Sequence, residues 1–280
     1  MSDADTVAAS QTTRAPSPTA PAKPRKRQMP RTVISALAVI SLLLLWALVS
    51  MSGKLPQGYL PTPMEMYREA LGLLQDGYKH EPLWQHIGIS LFRTLTGFVA
   101  GVTIGVPLGL LTGYSYTAGA IASPIMAFVR PIPPIAFIPM VVLYFGLGEL
   151  GKVVLIFWTS FNYVHVNAHA GAANVPIAYL RAARSLGMSK SQVFAGVIFP
   201  AAIPQIFTGL KVAMALSWAV VVAAELTGAQ SGLGYMIADS ALTFRIPVVF
   251  IGIGLIGLIG LALNFAINWL ESRLVHWRGR

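Results

Sequence analysis

Three stretches of this 280-residue chain carry residue types at spacings that chemistry uses. Gly146-Leu-Gly-Glu-Leu-Gly-Lys152 runs like a phosphate-binding loop as far as its lysine, where backbone N–H groups would cradle phosphate and the ammonium would reach it. Val153 then stands where a Ser or Thr hydroxyl must hold magnesium, and no strand precedes the loop, so the stretch reads as a turn. Gly252-Ile-Gly-Leu-Ile-Gly257 is spaced like a dinucleotide fingerprint. It lies inside an apolar run with neither a strand before it nor an acid about 20 residues on, so helix packing explains its glycines. His165 and His169, four apart, share a helical face and could hold a metal. A third ligand is not evident, and the neighbouring Asn162 and Asn167 read better as a polar lining. Only ten acids are present, with no paired carboxylates and no Ser/His/Asp order among them, and the absence of cysteine removes thiolate chemistry. The chain is expected to catalyse nothing and to bind no cofactor of its own.

The elements around these stretches belong to a bilayer. Hydrophobic residues make up 55% of the chain and charged residues 11%, whereas a soluble domain carries about a quarter charged residues. Apolar runs near 32–51, 87–113, 119–146, 151–173, 206–228 and 246–269 approach or exceed the roughly 18 residues of a transmembrane helix. The expectation is an all-α membrane protein with six spans in one domain, residues 30–280. Residues 1–29, rich in Ala, Pro, Ser and Thr and then basic, cannot bury enough apolar surface to order themselves and predict a disordered tail. The run from Val33 to Val49 exceeds the about 7–15-residue core of a secretory signal, so it reads as an uncleaved helix. Between the first two spans, Met64-Glu-Met-Tyr-Arg-Glu-Ala-Leu-Gly-Leu-Leu predicts an amphipathic helix beside the membrane. The net charge of +10 collects in the tail, in the loop 174–205 and at Arg273, Arg278 and Arg280. An even number of spans puts all three on the cytoplasmic side, as the positive-inside tendency prefers. No aromatic-basic surface or motif for nucleic acid accompanies this charge, and lipid is the expected neighbour of the apolar faces.

Two features mark the interiors of the spans. Gly97, Gly101, Gly105, Gly109 and Gly113 recur every fourth residue, a stripe that lets another helix approach closely. Arg130-Pro-Ile-Pro-Pro134 and then Pro139 interrupt the third run, and broken backbone at membrane depth survives only where protein or water satisfies it. That segment is a candidate pathway wall. Arg130 and Glu225 are costly charges at such depth. Arg130 could offer positive potential to an anion, and Glu225 could pair with it or with Arg93.

The loop 174–205 has start and stop signals of its own. Pro176 suits a first helical turn, and Gly187 supplies a left-handed cap after Ile177-Ala-Tyr-Leu-Arg-Ala-Ala-Arg-Ser-Leu. Ser189 with Gln192 then forms a capping-box pattern before Val193-Phe-Ala-Gly-Val-Ile-Phe, and Pro200 is expected to limit that second helix. The prediction is helix, tight turn, helix, with Ala182 and Ala183 on one side and Val193, Phe194, Val197 and Ile198 as an apolar docking face.

The order Arg181-Ala-Ala-Arg-Ser-Leu-Gly187 followed by Val197-Ile-Phe-Pro200 resembles the signature E-A-A-x-x-x-G-x9-I-x-L-P, with Arg181 in the place of the acid, Val197 in that of the isoleucine and Phe199 in that of the leucine. With Arg130-Pro-Ile-Pro-Pro134, Tyr144-Phe-Gly-Leu-Gly-Glu149, Gly209-Leu-Lys211, Trp218, Ala224-Glu225 and Ser231-Gly-Leu-Gly-Tyr235, the chain resembles inner-membrane permeases of bacterial ATP-binding-cassette (ABC) importers over about residues 55–278. The group concerned serves taurine, aliphatic sulfonates, nitrate and similar anions. The resemblance implies a six-helix type I importer permease fold in the bacterial inner membrane, a homodimer, two cassette ATPase subunits that bind ATP and magnesium, and an extracytoplasmic solute-binding protein. It implies ATPase docking through Arg181, Ala182, Ala183, Gly187, Ser189, Gln192, Phe194 and Pro200. Arg130, Pro133, Pro134, Glu225 and Trp218 become the candidate pathway residues. Taurine or another alkanesulfonate is the favoured solute, ahead of nitrate, an aromatic acid or a thiamine-precursor-like compound. Rival classes are an ion-coupled secondary transporter, which should show internal repeats and a mid-membrane carboxylate, and an intramembrane metalloenzyme built on the two histidines.

Overall fold

The glycine stripe decides how the bundle closes. In the computed structural model, which describes residues 30–54 and 58–275, helix α3 (Leu83–Tyr114) lies along α6 (Glu149–Ala173) with the glycines at the contact. A methyl group added at Gly97 would sit 2.7 Å from Ile156 Cβ, and one at Gly109 would sit 2.5 Å from the His165 carbonyl oxygen. Gly101 meets Ser160, whose hydroxyl donates to the Gly97 carbonyl across the seam at 3.2 Å. The partners advance in step from Ile156 to Ala172, so the two helices run parallel. The backbones approach as small-residue seams allow in lipid, where no hydrophobic drive acts between helices.

Around this pair the chain winds in short connections. Helix α1 (Arg31–Met51), most of which falls in a separate compact unit ending at Leu48, is apolar on every side. Thr62 opens α2 (Pro63–Gln75) with a capping box: its hydroxyl accepts from Glu65 N at 3.3 Å, and Glu65 Oε2 accepts from Thr62 N at 2.8 Å. Leu73 of this amphipathic helix is buried. After α3 come α4 (Tyr116–Val129), a single 3-10 turn (Pro134–Phe137) and α5 (Ile138–Phe145), with an 83° bend between the two halves. The break falls at Arg130–Pro133, as the prolines predict. Pro139 does not break the chain again, because it occupies the first turn of α5, where a missing N–H costs nothing.

A helical hairpin, α7 (Ile177–Ser185) and α8 (Lys190–Val193), follows α6. Helix α9 (Phe199–Leu226) returns along α6, α10 (Leu233–Leu242) is short, and α11 (Ile246–Leu274) completes the bundle. Pro200 does not end the second loop helix, contrary to the expectation. Lacking an N–H, it would leave the Gly196 carbonyl unpaired and press on it in a regular α-helix. A π turn over Phe194–Ile198 absorbs this, with Phe199 N donating to the Phe194 carbonyl, and the helix runs on.

Among the described residues, four helices are long and apolar enough to cross a bilayer: Thr32–Met51, Leu83–Tyr114, Lys190–Leu226 and Ile246–Leu274. The bent α4–α5 pair makes a fifth. The expected count of six is not reproduced, because α6, though 25 residues long, carries Lys152, Asn162, His165, Asn167 and His169. The tail 1–29, Arg278 and Arg280 lie outside the described residues.

The seam separates glycines that must stay small from one that need not. Gly109→Val is expected to destabilise the detergent-solubilised protein by about 1–3 kcal/mol or more through overpacking. Gly88→Ala, on the same helix with nothing within 4 Å of an added Cβ, should hold or raise the melting temperature, since alanine favours a helix by up to about 1 kcal/mol. Equal melting temperatures for both variants would refute the seam.

Candidate functional site

Two ends of the bundle and one groove hold the residues with functional chemistry. At the hairpin end, α7 stops in a Schellman arrangement. Gly187 sits at φ +74, its N–H donates to the Arg184 carbonyl at 3.0 Å, and Met188 N reaches back to the Ala183 carbonyl at 3.2 Å. Ser189 and Gln192 then close their capping box, with Gln192 Oε1 accepting from Ser189 N at 2.8 Å and Gln192 N donating to Ser189 Oγ at 3.4 Å. Each device satisfies helix-end groups that water would otherwise have to reach, and a cap of this kind is worth about 1 kcal/mol. The turn is therefore fixed.

The faces of the hairpin are not those expected. Ala183, Val193 and Ile198 are buried in a cluster with Ala168, Ala172, Ala202 and Ile206, so they glue the hairpin to α6 and α9. Phe194 and Pro200 are half-buried. Arg181, Ala182, Gly187, Ser189 and Gln192 face outward. Beside them stand Tyr179 and Leu186, the latter 81% exposed, which with Ala182 form an i, i+3, i+7 stripe. That spacing is visible in the sequence; what the sequence does not reveal is which of two apolar stripes turns inward.

At the opposite end lies a buried charge cluster. Arg93, 1% exposed, uses all five guanidinium N–H donors. Its Nε and Nη2 grip both oxygens of Glu149 at 2.5 Å each, Nη1 donates to Glu225 Oε1 at 2.7 Å and to the Ser231 carbonyl at 2.8 Å, and Nη2 also reaches Ser231 Oγ at 3.4 Å. Lys152 Nζ adds a bond to Glu149 at 3.2 Å, so two cations face two carboxylates. Glu225 Oε2 accepts from Gly234 N at 2.9 Å, placing its charge at the amino end of α10, and Ser90 Oγ donates to both of its oxygens. His86 Nδ1 accepts from Gly232 N at 3.2 Å. Of the two partners open to Glu225, the fold selects Arg93. Trp218 is likewise internal, its indole N–H donating to the Ile256 carbonyl at 3.0 Å where α9 meets α11.

Next to this cluster, Asp239 accepts from the Tyr78 hydroxyl at 2.5 Å and from Lys79 Nζ at 2.7 Å, tying α10 to the strap before α3. The Lys79 ammonium, and then the Tyr78 hydroxyl, hold the Asp239 carboxyl below its ordinary value of 3.8. Arg245 pairs with Glu69 of α2 at the same end.

The groove lies between the broken span and α6. Arg130 is exposed, and Pro133 with it, while Pro134 is buried. Arg130 lines two adjoining cavities: one of about 200 Å³ with Ser123, His165 and His169, and a smaller one with Pro134, Asn162 and Asn167. Thr112 Oγ1 lies 3.2 Å from His165 Nε2 and 3.1 Å from His169 Nδ1. Among the described residues no group of three or more His, Asp or Glu is placed to hold a metal. Glu225 and Trp218 are not brought to this groove. Gly146-Leu-Gly-Glu-Leu-Gly-Lys152 contributes Glu149 and Lys152 to the charge cluster, not a phosphate loop.

This fold is that of importer membrane subunits. It superposes on a chain of the MetNI methionine ABC transporter in an inward-facing conformation with a TM-score of 0.61 at 18% identity, over 69% of this chain and 95% of that one. An amino acid ABC transporter gives 0.58 at 20% identity, over 75% of this chain and 97% of that one. Residues 105–276 match the family described as binding-protein-dependent transport system inner membrane component, and the protein belongs to that family. It is 37% identical to the taurine transport system permease protein of Escherichia coli (strain K12) over 88% of this chain and 89% of that one. It is 33% identical to a nitrate import permease protein of Synechocystis over 92% and 98%, and 31% identical to a putative aliphatic sulfonates transport permease protein of Bacillus subtilis (strain 168) over 84% and 83%. The chain is a permease-type transport subunit.

Breaking the Arg93 cluster should be severe. Arg93→Ala strands two carboxylates, one of them fully buried, and is expected to cost about 3–5 kcal/mol, read as lost accumulation and a lowered melting temperature. Arg93→Lys should recover only part, because a point charge cannot make five fixed bonds. Wild-type stability in Arg93→Ala would refute the cluster. The Asp239 tie has the opposite pH sign to a raised group: its stabilisation is present above the ordinary 3.8 and is lost as pH falls through the depressed folded value. The gap in melting temperature between wild type and Asp239→Asn should therefore shrink from about pH 5 to about pH 3, and a constant gap would contradict it.

Proposed function

We propose that the protein forms the translocation pathway of an ATP-driven importer for a small organic anion, with taurine or another alkanesulfonate the favoured solute. The observation that carries the reading is the hairpin: two short helices joined by a doubly capped turn, glued to α6 and α9 from inside and presenting Tyr179, Arg181, Ala182 and Leu186 outward. A rigid surface of this kind can pass a push from a separate ATPase to the spans, whereas a floppy loop would absorb it. Two copies of the chain, two cassette ATPase subunits holding ATP and magnesium, and an extracytoplasmic solute-binding protein complete the assembly in the bacterial inner membrane. The hairpin and both termini lie in the cytoplasm, and the Arg93 cluster lies near the outer face. Helix α6 is the sixth crossing, its polar residues shielded by α3 and α9.

Arg181 replaces the family's usual acid and alters the ATPase contact without abolishing it. Arg130, Pro133 and Pro134 wall the pathway. The anion reading draws support from Arg130, which has no ion-pair partner among the described residues, and from the solutes named for the taurine, sulfonate and nitrate relatives. Nitrate, an aromatic acid or a thiamine-precursor-like compound are the alternatives.

Gly187 isolates the hairpin from the rest of the fold, because nothing lies within 4 Å of an added Cβ and only its positive φ resists substitution. Gly187→Val is expected to strain the turn by about 1–2 kcal/mol, to lower recovery of the ATPase with tagged permease several-fold and to abolish uptake, while the permease still accumulates in membranes. Full uptake by this variant, or uptake by the wild-type chain in liposomes without ATP, would overturn the reading.

A further inference from the structure

Among the described residues, three that are not glycine stand at positive φ, and all three lie at the end of the bundle that carries the Arg93 cluster. Lys79 (φ +49) and His80 (φ +66) are the central pair of a tight turn, closed by Tyr78 N donating to the Glu81 carbonyl at 2.8 Å and Glu81 N to the Tyr78 carbonyl at 3.1 Å. Turns of this kind favour Asn-Gly; this one carries Lys-His. Phe244 (φ +56) caps α10, its N–H donating to the Ala241 carbonyl at 3.3 Å while Arg245 N reaches back to the Ser240 carbonyl at 2.8 Å. Gly187 makes the same arrangement at the hairpin, so a phenylalanine here stands in a glycine position.

A bulky residue in this conformation lowers stability. Packing does not offset that, because Phe244 is 86% exposed and its neighbour Leu242 is 80% exposed. The two turns brace each other into one knob. Lys79 Nζ donates to Asp239 at 2.7 Å, the Tyr78 hydroxyl donates to the same carboxylate, and the Arg245 guanidinium lies 5.5 Å from the centre of the Tyr78 ring. At its other end α10 holds Glu225 through Gly234 N, which ties the knob to the Arg93 cluster.

We propose that this knob is a docking anchor for the extracytoplasmic solute-binding protein, with Phe244 and Leu242 seated in an apolar socket whose rim is basic. The inference rests on the importer reading and deepens it by naming the surface that the binding protein grips. The matched family is described as binding-protein-dependent, and the hairpin occupies the opposite end. Lipid is the poorer occupant for two reasons. Both cations of the knob are committed, Lys79 to Asp239 and Arg245 to Glu69, while Asp76 and Glu81, exposed in the strap and in no ion pair among the described residues, present charge that anionic headgroups repel. Insertion into lipid is also non-directional, whereas a braced and strained turn fixes where a ring points, which only a shaped partner can use.

The test uses the assembled transporter, permease with ATPase, purified in detergent, together with the solute-binding protein that stimulates its ATP hydrolysis. The concentration of binding protein giving half-maximal stimulation is measured for each variant, along with the melting temperature. Phe244→Gly should raise that concentration about tenfold or more, as loss of an aromatic anchor does, while the melting temperature holds or rises because glycine accepts the positive φ. Phe244→Tyr, which keeps a ring, should recover most of the affinity. Glu81→Lys should raise the half-maximal concentration several-fold at low salt and less at high salt. Tyr116→Ala should change nothing: the residue is 91% exposed, but it follows Tyr114, whose ring packs on Phe194 at the hairpin end. An unchanged concentration in Phe244→Gly, the result expected of a lipid anchor, overturns the proposal. So does no shift in Glu81→Lys at low salt, an equal shift in Tyr116→Ala, or a lowered melting temperature in Phe244→Gly, which would mark a structural residue. If no binding protein stimulates the wild-type transporter, the importer reading fails and the anchor with it; if one does and Phe244→Gly responds as wild type, the anchor alone fails.

Discussion

One guanidinium organises the end of the bundle opposite the hairpin. Arg93 projects from the first third of α3 and gathers α6 through Glu149, α9 through Glu225 and the approach to α10 through Ser231. An arginine at this depth is tolerable only when every donor is met and its charge is balanced, and both conditions hold. Lysine could substitute only in part, since the fork geometry is what reaches four acceptor groups at once. The cluster dictates its surroundings: Gly232 must be glycine at φ +113 because a side chain there would strike the Glu225 carboxylate, and Gly234 must present its N–H to Oε2.

The same logic explains why α6 can be so polar. Its lysine, asparagines and histidines would be prohibitive against lipid. The glycine stripe brings α3 close enough that Ser160 bonds across to the Gly97 carbonyl and Thr112 bonds across to both histidines. On the other flank Asn167 accepts from Gln205 of α9 at 3.0 Å, and Gly209 leaves room for the Asn167 side chain. Close packing and polar satisfaction are thus one device, with small residues on the neighbours providing the space in which α6 keeps its polar groups.

Signals confined to a few consecutive residues are legible in the sequence. The Gly187 cap, the Ser189–Gln192 box, the break at Arg130–Pro133 and the glycine seam each follow from local sterics or hydrogen-bond supply. What escapes needs partners distant in the chain. Glu225 has two candidate cations, and only the packing of α3 against α9 decides for Arg93. The apolar residues Val193 and Ile198 read as an outward docking face because sequence periodicity defines a face without saying what covers it. Helix α6 falls short of the hydropathy of a span because hydropathy prices it as though each polar group met lipid. Pro200 reads as a stop because its local rule is sound in an α-helix; a π turn is an alternative solution that the rule does not contain.

That π turn has a mechanical consequence. With it, α8 and α9 form one helical run from Lys190 to Leu226, about 55 Å long at 1.5 Å per residue. One end of the run is the capped turn of the hairpin; the other carries Glu225 in the Arg93 cluster. Had Pro200 broken the helix, the hairpin could swing without disturbing the opposite end. Because it is bypassed, a displacement at Ser189 must be taken up by bending at the widened turn or at Pro204, or else delivered along α9. The groove at Arg130 lies between these two anchored ends, on the flank of α6 that faces the broken span.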